Sequence, residues 1–378
     1  MANRGKNPAF ATVKELWARA AGRCEFRGCN KLIYRDDLTN LRSNLANVAH
    51  IVAASPDGPR GHPISSHQLS QDISNLMLAC LEHGKIIDDF DKVDDYPEEL
   101  LLEYKRQHEQ RIEMVTGIMP EAKTHVLIVR GAIDGQSASI SQKAAYQAIL
   151  PKYPAREEAS EIDLTGYRRR DPNTLSLVAA ELRDRVHCIL RLGRTHAIHD
   201  LSVFALAEIP LLITLGHSIG EVESVDLYQR HRTPQDWSWP VIEEADEFYD
   251  VTIPDFDDER EPAILLEISD SVGDDKVRDC LGTFSLIYRI RAKNPSLDFL
   301  RSQKRVELFG YEVRKLLSEL RARYDLERKI HVFAAVPAPV AIEFGRNVRA
   351  NDPTLVLHDY NKGRRSYDRP LTLNERDS

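Results

Sequence analysis

The sequence predicts an α+β, zinc-containing N-terminal domain followed by an α/β domain built from two similar halves. Three observations predict it. Two short knuckles, CEFRGC and ACLEHGK, place Cys24, Cys29, Cys80 and His83 where thiolate and imidazole donors from distant parts of the chain can close one tetrahedral metal site. Between them stand His50, in AHIVAASPDGPRG, and Asn75, in ISNLMLAC. Beyond residue 123 apolar strands alternate with helical segments, and one such segment recurs at a constant offset.

The chain's 378 residues exceed what a single hydrophobic core organises, so two or three units are expected. Hydrophobic residues at 42% and charged residues at 29% match ordinary globular chains, and no apolar run is long enough to cross a bilayer. The opening MANRGKNPAF lacks the apolar core of a secretion signal, so a cytoplasmic protein with no membrane partner is expected. Five cysteines in a chain of this size do not make a disulfide framework, and Cys188 and Cys280 read as buried thiols in helical segments. The net charge of −8 argues against a surface that binds nucleic acid everywhere. It is uneven, however. Through Lys85, eleven basic residues stand against seven acidic ones, an excess of four that suits phosphate contact, and the remainder of the chain carries −12.

A first helix is expected over residues 12–21, with Leu16 and Trp17 turned inward. Residues 56–63, with Asp-Gly-Pro and Pro-Arg-Gly, must form a loop, and Arg60 in it is a candidate DNA phosphate contact. Pro97 opens a helix whose apolar positions Leu100, Leu101, Tyr104, Ile112 and Val115 run to Gly117. That helix closes a first domain of residues 1–118, and residues 119–122 link it to a second domain, 123–378. There a strand at 126–129 comes first, and Asp171-Pro172 starts a helix with Leu175, Val178, Leu182, Val186 and Ile189 on one face.

The repeat is LSVFALAEIPLLITLGHSIG at 201–220, echoed by IHVFAAVPAPVAIEFGRNVR at 330–349. Val203, Phe204, Ala205, Pro210 and Gly216 match Val332, Phe333, Ala334, Pro339 and Gly345, all 129 residues apart, which favours duplication over convergence. The halves are placed at about 123–242 and 262–366, and the acidic stretch 243–261 reads as a solvated linker. With no Ser-His-Asp set, P-loop or GxGxxG, the second domain reads as a sensor. Its two halves offer two helix N-termini to a ligand with two phosphates. Ala207, Glu208, Pro210, Val336 and Pro337 are the candidate contacts, and Tyr228, Trp237 and Trp239 form an aromatic cluster that is a candidate to stack on a base.

From about residue 12 to 116 the chain resembles the HNH endonuclease superfamily, the ββα-metal nucleases. The resemblance implies that His50 is the general base and that Asn75 pins the histidine loop through its amide. It also implies a catalytic Mg²⁺ or Mn²⁺ that stabilises the leaving oxygen, beside a structural zinc. Two positions depart from the pattern. Ala49 stands where the family often has an acidic residue or histidine, and Gly84 stands where it often has a metal-binding histidine, His83 being taken by the knuckle. Asp88, four residues on, would share a helix face with Gly84 and is the candidate Mg²⁺ ligand. Alternatively His83 serves the catalytic metal and zinc keeps the three cysteines.

Over nearly the whole chain the arrangement resembles the HNH–SAVED effector nucleases of the CBASS anti-phage systems, through FALAEIPLLITLG, VDLYQRHRTPQDWSW and HVFAAVPAPVAIEFG. The resemblance implies a SAVED domain of two fused CARF-like Rossmann units. It further implies a cyclic di- or trinucleotide activator made by a partner synthase, a homo-oligomer on activation, and double-stranded DNA as substrate. Two other readings stay open. One is a restriction-type HNH nuclease whose C-terminal part reads DNA; the other is a non-catalytic nucleotide sensor whose metal site is lost at Ala49 and Gly84.

Overall fold

The computed structural model of the protein describes residues 6–375 except 37, 134–135, 168–173, 196–199, 223, 234, 241–247 and 258. The chain divides into two compact units, with the boundary between Met119 and Pro120. Among the described residues no helix is long and apolar enough to cross a membrane.

Unit 1 is built around a two-stranded antiparallel ladder. Helix α1 (Phe10–Arg19) precedes strand β1 (Ala46–His50), short helix α2 (Ser65–Leu69), strand β2 (Leu76–Cys80), helix α3 (Leu81–Ile87) and helix α4 (Glu98–Thr116). The ladder pairs Ala46 with Cys80 and His50 with Leu76, so β1, β2 and α3 form a ββα unit. β2 is buried along its whole length, as its sequence LMLAC requires. Its other edge at Leu78 is covered by the first knuckle, because Glu25 N–H donates to Leu78 O and the Glu25 carboxylate accepts from Leu78 N–H. α4 differs from its expected apolar face. Val115 is exposed, and the buried positions are Leu101, Lys105 and His108. Lys105 reaches Glu109 at 2.5 Å and Glu25 at 3.8 Å, and His108 Nε2 donates to Ala20 O, so this helix is seated by charge and hydrogen bonds as well as by apolar area.

Unit 2 contains two sheets of matching topology. The first half runs β3 (Lys123–Arg130), α5 (Gln142–Ala148), β4 (Ser160–Asp163), α6 (Thr174–Thr195), β5 (Asp200–Leu206), α7 (Ile209–Ile219) and β6 (Ser224–Tyr228). The expected helix start at Asp171-Pro172 lies outside the described residues. The second half runs β7 (Tyr249–Thr252), β8 (Glu261–Glu267), α8 (Asp274–Leu281), β9 (Ser285–Ala292), α9 (Gln303–Arg323), β10 (Lys329–Ala335), α10 (Ala338–Asn347), β11 (Thr354–Asn361) and β12 (Ser366–Leu373). The parallel orders β4–β3–β5–β6 and β9–β8–β10–β11 correspond strand for strand.

The duplication is visible in atoms as well as in order. A Cβ at Gly216 would overlap Ile342 O, and a Cβ at Gly345 would overlap Ile213 O. Both glycines and both carbonyls are related by the same 129-residue offset, so α7 and α10 cross face to face at one reciprocal contact that only glycine admits. The second half extends beyond its expected limits. The edge strand β7 falls inside the stretch read as a linker and pairs antiparallel with β9, while β12 carries the sheet on to Leu373. β7 alternates half-buried and exposed residues and follows the buried Phe248, a pattern the surrounding acidic residues conceal. Residues 243–247 and 258 of that stretch lie outside the described residues. Cys188 is exposed, contrary to the expected buried thiol, and Cys280 is half-buried.

Candidate functional site

The first knuckle turns at Gly28, whose φ of 84° lies in the left-handed region, and Cys29 N–H closes the turn on Phe26 O at 3.0 Å. Cys24 is held by its N–H on Lys31 O. The second pair comes from the β2–α3 junction, where Cys80 caps the helix and His83 sits in its first turn. Cys24, Cys29, Cys80 and His83 present ligand atoms that all lie within 4.8 Å of one another. His83 Nδ1 is 3.1 Å from Cys80 Sγ and 3.7 Å from Cys24 Sγ, and Phe26 stacks on its ring at 4.2 Å. Burial pushes the Cys24 thiol above its ordinary value, and the neighbouring cysteines add to the shift. Three thiols and one imidazole, converging and half to fully buried, fit the donor chemistry and span of tetrahedral zinc. Among the described residues this is the only group of three or more such side chains.

On the same ββα unit His50 ends β1. Its Nε2 lies 2.9 Å from Ser70 O; a carbonyl only accepts, so Nε2 is the donor, and in the neutral ring Nδ1 is the nitrogen with the lone pair. Asn75, 3% exposed, holds the turn that follows. Its Oδ1 accepts from Val52 N–H at 2.7 Å, and its Nδ2 donates to Val52 O and Leu69 O, while its own carbonyl accepts from Ile51 N–H. Asp88, at the end of α3, lies near His50 and Arg60, and its carboxylate accepts a hydrogen bond from the Asn47 side chain. Burial nonetheless pushes its carboxyl above the usual carboxylate range. The same Asn47 amide fills the space over Gly84, where a Cβ would overlap it. Ala49 is packed in the core with Ile51, Leu76 and Ile87. Both departures from the nuclease pattern therefore have a packing cause.

Arg60 does not face outward. Nε donates to Ile51 O at 2.6 Å, and the two terminal nitrogens donate to Tyr96 O and to Ile87 O at the C-terminus of α3. The expected phosphate contact is replaced by a strut between the loop, β1 and the helix end. Asn47 and Ser70 carry no motif in the sequence. An Asn three residues before the candidate base is the only trace of the first, and Ser70 contributes a backbone carbonyl that no side-chain pattern reports.

In unit 2 a cavity of about 360 Å³ opens at the C-terminal ends of β5 and β10. Ala207, Glu208 and Ile209 line it from the start of α7, and Val336 and Ala338 from the start of α10. Parallel sheets place ligands at this end of their strands, and here both halves do so at once. Over residues 182–373 the sequence matches the family described as "SMODS-associated and fused to various effectors sensor domain", SAVED. The chain belongs to the SAVED family. Among solved structures it is similar to the Acinetobacter baumannii Cap4 SAVED/CARF-domain containing receptor with the cyclic trinucleotide 2'3'3'-cAAA (14% identity, TM-score 0.43, covering 81% of this chain and 63% of that one). It is similar also to the Moraxella osloensis Cap4 receptor (12% identity, TM-score 0.42, covering 77% and 60%). The chain thus spans less than two thirds of the receptors' length. No curated protein matches it.

Within the SAVED fold the expected contacts divide. Ala207, Glu208 and Val336 line the cavity, whereas Pro210 is buried in the first turn of α7 and Pro337 caps α10. Tyr228 and Trp237 are core residues. Tyr228 stacks on Phe204 at 4.3 Å and Trp237, 1% exposed, meets the same ring edge-on, so neither can stack on a ligand. The aromatic walls of the SAVED cavity, and all its charged lining except Glu208, come from the second half: Tyr360, Tyr367, Lys276 and Lys362, with Asp270 and Asp359. Lys276 Nζ lies 4.9 Å from the centre of the Tyr360 ring. The repeat itself could not reveal them, since none belongs to the five matched positions.

Proposed function

We propose that this SAVED chain is a ligand-gated DNA nuclease of bacterial anti-phage defence. A cyclic di- or trinucleotide from a partner synthase binds unit 2, drives assembly of a homo-oligomer, and releases metal-dependent hydrolysis of double-stranded DNA by unit 1. The observation that carries the nuclease reading is the arrangement of His50, Asn75 and Asp88 on one ββα unit. Family membership and the two-halved cavity support the sensor reading.

In unit 1 His50 Nδ1 is the atom that takes the proton from the attacking water, with Ser70 O holding the opposite nitrogen as donor and Asn75 fixing the backbone behind the ring. Asp88 would hold Mg²⁺ or Mn²⁺ together with a substrate phosphate and waters, a coordination for which one carboxylate suffices. Such an ion supplies charge neutralisation at the leaving oxygen. Cys24, Cys29, Cys80 and His83 would hold zinc as a brace, which leaves His83 out of the catalytic shell. Arg60 has no part in DNA contact in this reading. In unit 2 the lysines suit the phosphates of the activator, the tyrosines its bases, and the carboxylates the exocyclic amines.

The test is cleavage of supercoiled plasmid with Mg²⁺ and a panel of cyclic nucleotides, by the wild-type chain and by His50→Ala. The reading expects activity in the first and a loss of at least about a hundredfold in the second, the usual contribution of a general base. Full activity in His50→Ala would remove the base assignment. Ligand binding without Mg²⁺-dependent cleavage would leave the non-catalytic sensor.

A further inference from the structure

The segment VDLYQRHRTPQDWSW, whose tryptophans the activator cavity does not use, builds a second cavity. Residues following β6 fold back on themselves: His231 N–H donates to Asp236 O at 2.9 Å, and the buried Trp237 anchors the loop in the core of the first half. Against it lies the connection between β9 and α9, which contributes Asp298 and Arg301. The space enclosed is about 180 Å³.

Two features of its walls point to a ligand. Arg230, Arg232 and Arg301 all line it, and among the described residues none of the three forms an ion pair, although Asp236 and Asp298 line the same cavity. Arg230 is placed over the Trp237 ring at 5.8 Å, which fixes its direction without neutralising it. Trp239 and His231 also line the cavity, and each has a buried ring nitrogen with no hydrogen-bond partner, Nε1 and Nε2 respectively. An indole N–H only donates, and a buried donor left unpaired is costly, so the site asks for an acceptor. Three guanidinium groups against two carboxylates leave the walls net positive, and guanidinium forks match tetrahedral oxyanions in a way ammonium groups do not.

We propose that this cavity binds a phosphate group, and that it is a site separate from the activator cavity. The volume suits the phosphate itself rather than a whole cyclic oligonucleotide. Arg230 and Arg301 grip the oxyanion from the two walls, and Trp239 Nε1–H is available as a further donor. The proposal does not depend on the nuclease or activator readings.

Titration of the full chain with inorganic phosphate, followed by ³¹P NMR and tryptophan fluorescence against sodium chloride of equal ionic strength, tests it. A second arm uses adenosine 5′-monophosphate, which separates free phosphate from a phosphomonoester as the source. Saturable binding is expected in at least one arm, about tenfold weaker in Arg301→Gln and weaker still in Arg230→Gln/Arg301→Gln, as for loss of charge-assisted hydrogen bonds. Lys276→Gln/Lys362→Gln, in the activator cavity, should leave it unchanged. Arg301 is exposed, so its replacement remains informative if the double variant fails to fold. No saturation beyond the chloride control, or equal binding in Arg301→Gln, would overturn the proposal. So would loss of binding in the lysine variant alone, because the phosphate would then sit in the other cavity.

Discussion

Asn75 shows how a single side chain can hold the loop behind the proposed base, His50. Its amide makes three hydrogen bonds to the backbone, two buried ones to Val52 and a part-buried one to Leu69. Asn75→Ala leaves the buried Val52 N–H and Val52 O without these partners, while Leu69 O keeps its bond from Asp72 N–H, so it should lower unfolding free energy by about 2–4 kcal/mol, read from the urea midpoint. An unchanged midpoint would mean that the loop is held by other bonds. A second residue-scale consequence concerns acid. His358 stacks on Phe333 and shares a hydrogen bond of 2.8 Å with His331; burial, then the charge of His331, pushes its pKa down from 6.5 to about 4. The unfolded chain therefore binds this proton first as pH falls. The contribution is complete above pH 6.5 and disappears towards pH 4, with about 2 kcal/mol lost between pH 7 and 5. His358→Phe should flatten that part of the stability profile measured by urea unfolding, and an unaltered profile would refute the assignment. His50 and Asn75 were legible in the sequence because they stand between metal-spaced knuckles. Arg60 was not, because three backbone carbonyls brought together by tertiary structure decide its direction.

At the scale of elements, two constructions dominate. The first is the junction of the two knuckles with the ββα unit. If zinc occupies the four converging side chains, metal analysis should find about one zinc per chain, and chelation or Cys80→Ser should lower the melting of unit 1, since closed structural zinc sites contribute directly to folding. Cys188→Ser, which removes an exposed thiol outside the cluster, should change neither zinc content nor melting. The second is the crossing of α7 and α10. Gly345→Ala pushes a methyl group against Ile213 O, and Gly216→Ala does the same to Ile342 O. Each should cost about 1–3 kcal/mol through displaced helices, measured by denaturant unfolding, and the two should be similar because the contact is reciprocal. A neutral effect in either would mean the crossing is loose. The repeat announced this pairing because identical positions at one offset survive where both halves need glycine. Strands β7 and β12 went unread for the opposite reason. They are edge strands in charged sequence, where sheet pairing rather than apolar pattern decides the conformation.

At the scale of the whole molecule, the SAVED fold could be anticipated from the duplicated segment, whereas the composition of its cavity could not. The strand ends and helix starts that frame the cavity follow from repeated local sequence. The side chains that would discriminate a ligand, Lys276, Tyr360, Lys362 and Tyr367, come from elements in which the halves have diverged. That asymmetry fits a sensor whose second half supplies most of the charged and all of the aromatic lining, with Glu208 the charged contribution of the first. In the proposed function, occupancy of this cavity controls hydrolysis at His50. Time courses of plasmid cleavage in Mg²⁺, with and without cyclic di- and trinucleotides, test it most directly in the wild-type chain and in Lys276→Gln/Lys362→Gln. Intact plasmid is expected without ligand, rapid nonspecific degradation with one of the cyclic nucleotides, and loss of that response in the lysine variant. Cleavage equally fast without any ligand, or discrete fragments independent of it, would contradict the account.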